Sequence, residues 1–126
     1  MVIVGHQWVE SLQFKKVFSQ KDIKASNPKQ IVLLEPLVDS NALAKYCQEN
    51  QVSFAVAVNS INEAMFANAL GATYMICEED DALIVQPIAQ EYLFDTRILV
   101  LIYEEKEIAK IARFGIDGVI FPEAIV

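Results

Sequence analysis

Five short apolar runs, IVLLE (31–35), FAVAV (54–58), TYMIC (73–77), RILVLIY (97–103) and GVIFP (118–122), recur along the chain without the apolar/polar alternation of a half-exposed strand. Strands that are apolar throughout are buried on both faces, as happens when helices cover a parallel sheet. The segments between the runs are helix-like, so the order reads as successive strand–helix units. A hydrophobic fraction of 54% with 21% charged residues suits such strands. At 126 residues the chain has the length of one domain with one core, and nothing in it calls for a metal or a disulfide as a staple. A single α/β domain over residues 1–126, with a mostly parallel sheet of five or six strands, is expected.

The helices carry their own start and stop signals. Ser60-Ile61-Asn62-Glu63 fits a capping box, in which the serine oxygen and the glutamate carboxylate each take an unpaired amide of the first turn. Ile61, Ala64, Met65 and Ala69 then share a face, and Gly71 can turn left-handed to end the helix. In the last helix Ile108, Ile111 and Ala112 form the stripe and Gly115 the stop. Pro87 is compatible with a first helical position, so that helix is expected to begin near it, with ALIV (82–85) unassigned.

Residues 1–30 differ from the body. They carry Lys15, Lys16, Lys21, Lys24 and Lys29 against Glu10 and Asp22, a net of +3, whereas the remaining five bases and fifteen acids give −10. They read as a basic N-terminal arm whose packing the sequence leaves open: VIV (2–4) as an edge strand, Trp8 to Phe18 as a helix, and KASNPKQ as a loop. Trp8, Phe14 and Phe18 would then make a packing face or a dimer seam. A body this acidic repels nucleic acid, which needs clustered lysine and arginine. Cys47 and Cys77, 30 residues apart, spell neither a redox pair nor half a zinc site and read as reduced, buried thiols. The N-terminus lacks the pattern of a signal peptide, and no apolar run approaches the ~20 residues of a membrane helix. The cytoplasm is the expected location, with no membrane contact.

EAMFANALGATYMICEE (63–79) and EIAKIARFGIDGVIFPE (107–123) align without gaps, and four of seventeen positions are identical. That is too few to separate duplication from the shared needs of similar units. The stretches AVAVNSINEAMFANALGATYMI and EIAKIARFGIDGVIFPEA resemble the C-terminal half of the 2-keto-3-deoxy-6-phosphogluconate aldolase family of (β/α)8 barrels, over about residues 54–126. The family's Schiff-base lysine would fall at Ile120, so the resemblance implies the strand–helix order without the covalent chemistry. A weaker resemblance, through size, alternation and Gly115-Ile116-Asp117 before the last strand, is to response-regulator receiver domains. Ile120 and Phe121 stand where a receiver needs its lysine, and the fourth strand ends in Tyr103-Glu104, which implies a receiver without phosphotransfer. The expected form is a three-layer sandwich, flavodoxin-like and open, or a half-barrel completed by a second copy.

In open parallel sheets ligands bind beyond the carboxyl ends of the strands. Here those ends read Glu35, then Asn59-Ser60, then Glu78, Glu79, Asp80 and Asp81, then Tyr103, Glu104 and Glu105, then Glu123. A rim this negative is wrong for phosphorylated ligands, and Gly71, Gly115 and Gly118 lie before strands, at the opposite end. Three readings remain open. The acids favour helix starts and keep the chain in solution. They dock a basic partner, including Lys15 and Lys16 of another copy, with Glu79, Glu104 and Glu105 in contact. Or Glu78, Asp80 and Asp81, or Glu35 with a neighbour, hold Mg²⁺ or Mn²⁺. His6 is the sole histidine, so any triad or multi-histidine site would have to be built around it.

No cofactor is expected beyond that cation. The leading expectation is a non-catalytic intracellular interaction module that associates with itself or another protein through the acidic strand-end rim or the basic N-terminal arm. The enzyme alternative is a divergent metal-assisted lyase or hydrolase acting on a small molecule at the rim.

Overall fold

The computed structural model describes residues 1–126. All five apolar runs form strands: β3 (Gln30–Leu34), β4 (Phe54–Ala57), β5 (Tyr74–Cys77), β6 (Arg97–Leu101) and β7 (Gly118–Ile120). Two further strands come from residues 1–30, β1 (Val2–Val4) and β2 (Gln13–Lys16), so the sheet has seven strands rather than five or six. Every neighbouring pair is parallel, in the order β1-β7-β6-β5-β4-β3-β2. The helices are α1 (Gln20–Ala25), α2 (Leu37–Glu49), α3 (Ile61–Ala69), α4 (Glu79–Glu91) and α5 (Glu107–Arg113), with a 3₁₀ turn at Pro122–Ala124. None is long and apolar enough to cross a membrane.

Strands taken in chain order with right-handed crossovers receive their helices on one side. All five helices accordingly send their buried residues into one cluster, with Ile23, Ala44, Ala67, Val85 and Ile111 packed on Val32, Val56, Met75, Val100 and Val119. The sheet curls away from this layer into a half-barrel, and its concave face holds a smaller cluster that includes Phe14, Leu33, Ala55, Leu99 and Ile120. The curl can be read from one contact. The rings of Phe14 on β2 and Tyr74 on β5 lie 5.5 Å apart, whereas three strand spacings in a flat sheet separate such residues by about 14 Å.

The C-terminal residues draw the sheet ends together. Phe121 N donates to Val4 O of β1, and beyond the 3₁₀ turn Ile125 bridges Phe14 while Lys16 N donates to Val126 O and Val126 N to Phe14 O. The outer edge of β2 is thereby paired, which removes an open template for foreign strands.

Several local expectations hold. Ser60 Oγ accepts from Glu63 N, and left-handed Gly71 and Gly115 follow α3 and α5. Both cysteines are free and buried. Others are corrected. Trp8 to Phe18 is a loop followed by β2, because pairing with β3 satisfies the backbone and alternation alone buries Phe14, leaving Trp8, Leu12 and Phe18 exposed. Helix α4 begins at Glu79 and runs through Pro87, taking in ALIV. A proline removes one amide and strains one turn, but Ala82, Val85 and Ala89 hold the helix to the sheet across that point. In α3 the buried residues are Ala64 and Ala67, while Ile61, Met65 and Ala69 of the expected stripe face solvent.

Candidate functional site

Strand alternation aims alternate residues at the concave face. Counting outward from Phe14, Leu33, Ala57, Ile76 and Leu101 brings one polar residue to each strand end: Lys16, Glu35, Asn59, Glu78 and Tyr103. They edge three open cavities around the mouth of the half-barrel. One of about 190 Å³ lies between Lys16, Leu33, Glu35, Ile76 and Ile125. The next, about 250 Å³, shares Pro36, Ala57 and Ile76 with it and is bounded by Asn59, Glu78, Asp81 and Leu101. The third, about 320 Å³, lies between Gly5, His6, Tyr103, Glu105, Phe121 and Glu123.

The acids named from the sequence stand at this mouth but do not converge. Glu78 and Asp81 share one cavity and Glu35 edges its neighbour, while Asp80 is exposed in the first turn of α4. No group of three or more histidine, cysteine or carboxylate side chains is placed to hold a metal ion. Glu79 turns to Lys110 at 2.9 Å, joining α4 to α5, and Glu104 pairs with Lys106 at 3.0 Å. Lys15 points to the opposite face of β2 from Phe14 and Lys16 and is exposed.

His6 is more engaged than its place near the N-terminus suggested. Its ring lies 5.2 Å from Trp8 and 5.5 Å from Phe121, centroid to centroid. Trp8 N donates to Nδ1 at 3.1 Å, which assigns the proton to Nε2, and Nε2 contacts Glu105 Oε1. Both nitrogens are spent, so His6 offers no free base to a substrate. The pair ties the β1–β2 connection to the loop before α5. The thiols are equally quiet. Burial pushes Cys47 up to about 11, and burial, followed by Asp81, Glu63 and Glu78, pushes Cys77 up to about 12.

A different surface carries the larger cavity. Between α2 and α3 lies a groove of about 610 Å³ whose walls include Leu37, Val38, Lys45, Glu63, Phe66 and Leu70. Helix α3 is inverted there. Its inward contacts are made by Ala64 and Ala67, while Phe66 is 63% exposed and Ile61 and Met65 are exposed beside it. Val38 on α2 is 72% exposed, and Leu83 and Ile84 on α4 are also exposed.

The chain matches no family model and no curated protein. The chemistry of the two surfaces therefore decides between mouth and groove. The mouth offers carboxylates without an orienting arginine and a histidine already paired. The groove offers apolar area that water solvates poorly, flanked by one cation and one anion. Periodicity misread α3 because the sequence pattern marks apolar residues, not which of two apolar faces meets the sheet. The pair of alanines three apart, matching small residues to close helix–sheet contact, was the available signal.

Proposed function

We propose that this chain is a non-catalytic interaction module whose contact face is the outer surface of α2 and α3. The observation that carries the reading is the orientation of α3: Phe66 is exposed, with Ile61 and Met65 part-exposed beside it, while Ala64 and Ala67 face the core. Full burial of a large apolar side chain is worth about 1.5 to 3 kcal/mol; Phe66 at 63% exposure and Ile61 and Met65 at 40% and 37% leave only the corresponding fraction of that for a partner to recover. Single exposed apolar residues are ordinary; a groove with several along its walls and rim marks a contact site. The two free, buried thiols fit a reducing compartment, which supports a cytoplasmic setting. In this reading the acidic mouth serves solubility and the starts of α4 and α5.

Hydroxyl-radical footprinting tests the proposal. Met65 and Phe66 should be oxidised more slowly in the producing cell than in dilute purified protein, while Tyr92 and Leu93, exposed on the far end of α4, react equally in both. Equal rates at all four positions would refute the reading.

A further inference from the structure

We propose that the cavity at the C-terminal end of α4 binds a small zwitterion of the free amino acid class, its carboxylate on Arg97 and its ammonium group on Asp117. The cavity, about 480 Å³, lies at the end of the sheet opposite the mouth, where α4 finishes and β6 and β7 begin. It shares no residue with the α2–α3 groove, so it stands apart from the contact face. A volume of this size suits a small molecule. Ala89 and Phe94 give it apolar wall, and α4, β6 and the turn before β7 give it polar groups.

Gln86 points to a ligand. It is the one polar side chain among the buried residues of α4 and is only 3% exposed. Its Oε1 accepts from Asp117 N at 3.0 Å, yet its Nε2 donates to no atom of the chain and, not being sealed from solvent, opens on the cavity. Polar groups this deep are ordinarily matched, and a glutamine amide brings two N–H donors beside its acceptor. Arg97 and Asp117 are likewise uncommitted. Asp117 uses Oδ2 to accept from Ile98 N at 3.0 Å and leaves Oδ1 free. Arg97 forms no ion pair: its nitrogens stay more than 4.0 Å from the carboxylates of Asp117 and Asp95, although all three side chains line this cavity. Opposite charges that share a cavity without joining leave room for a molecule between them.

The charge of that molecule follows from theirs. One guanidinium against two carboxylates repels a bare anion such as phosphate, and a bare cation would leave Arg97 and Gln86 Nε2 unanswered. A carboxylate accepts from a guanidinium in a bidentate pair, with Gln86 Nε2 as a further donor, and an adjoining ammonium donates to Asp117 Oδ1.

Thermal unfolding of the full chain with each of the standard L-amino acids, added singly at about 5 mM, tests this. At least one should raise the melting temperature saturably, by about 3 °C or more. The same compound without its amino group, or without its carboxylate, should bind about tenfold less tightly or worse. Arg97→Gln, at an exposed position, should raise the dissociation constant of the amino acid about tenfold or more. Arg113→Gln, also exposed but off the cavity, should leave it unchanged. Asp117→Asn keeps an oxygen for Ile98 N and removes the charge, so it should weaken the amino acid without weakening the deaminated acid. No stabilisation by any of the amino acids, binding that survives Arg97→Gln, or a deaminated acid that binds as well as its parent would each overturn the inference.

Discussion

Leu93 sits where a glycine is ordinarily found. It follows the C-cap of α4 with φ +54° and is 85% exposed, while Phe94 N reaches back to Ala89 O in the manner of a helix-ending loop. Left-handed backbone sets Cβ against the following carbonyl, about 1 to 2 kcal/mol for a non-glycine residue. The chain uses glycine at the equivalent points after α3 and α5, but after α2 and α4 it uses Gln51 and Leu93. Leu93→Gly should therefore stabilise the fold by about 1 kcal/mol, the relieved strain exceeding the extra chain entropy of glycine. Urea unfolding with an unchanged slope would show it. A loss of stability would mean that the Leu93 side chain packs on Phe94 strongly enough to outweigh the strain. The same residues show why two helix ends were readable in the sequence and two were not. Gly71 and Gly115 announce a stop by composition, whereas Gln51 and Leu93 are forced into one by the return of the chain to the sheet.

Helix α5 shows the opposite balance, a short element fixed by one side chain. Glu107 Oε2 accepts from Tyr103 N at 3.0 Å and Glu104 N at 3.1 Å. Those amides, with lesser help from Lys110 and Lys106, hold its carboxyl below the ordinary 4.5. A carboxylate whose value is depressed on folding contributes stability that is complete above the unfolded value and vanishes as pH falls through the folded one. Glu107→Gln should thus lower the melting temperature at pH 7, and the difference from the parent should shrink as pH falls below about 4.5. Parallel curves down to the acid limit would mean the carboxylate is not the group that orders the turn. The strands β3 to β7 were legible because runs apolar on both faces have one common use, and the capping box of α3 because its chemistry is local. Helix α4 was not, since Pro87 is a local veto that the packing of Ala82, Val85 and Ala89 overrides. Nor was β2: Gln13 to Lys16 carries one apolar residue, and only its neighbour β3 makes it a strand.

The half-barrel, one of the two forms expected from the sequence, depends on contacts between residues far apart in the chain that no local pattern specifies. Periodicity describes one segment at a time, so it could place carboxylates at strand ends but not say that Glu35, Glu78 and Asp81 do not gather into one group of three, or that β1 lies beside β7. What lets β1 lie there is Gly118. Its backbone runs between Val2 of β1 and Leu99 of β6, and a Cβ would collide with Val2 O and come within 2.8 Å of Leu99 Cδ2 and of Val2 Cβ. Leu99 is fully buried in the concave cluster and has little room to yield, whereas β1 is an edge strand held by β7. An added methyl should therefore be accommodated by displacing β1, and overpacking of this kind runs to about 1 to 3 kcal/mol. Gly118→Ala should lose that much stability and speed hydrogen exchange at the amides of Val2 and Val119 while those of Val56 and Met75, in the sheet centre, change only with the global value. If exchange instead rises uniformly through β4 and β5, the curl is held by the sheet as one body. If it rises only at β1, closure of the half-barrel is a separable step, and the tail from Phe121 to Val126 is what couples it to β2.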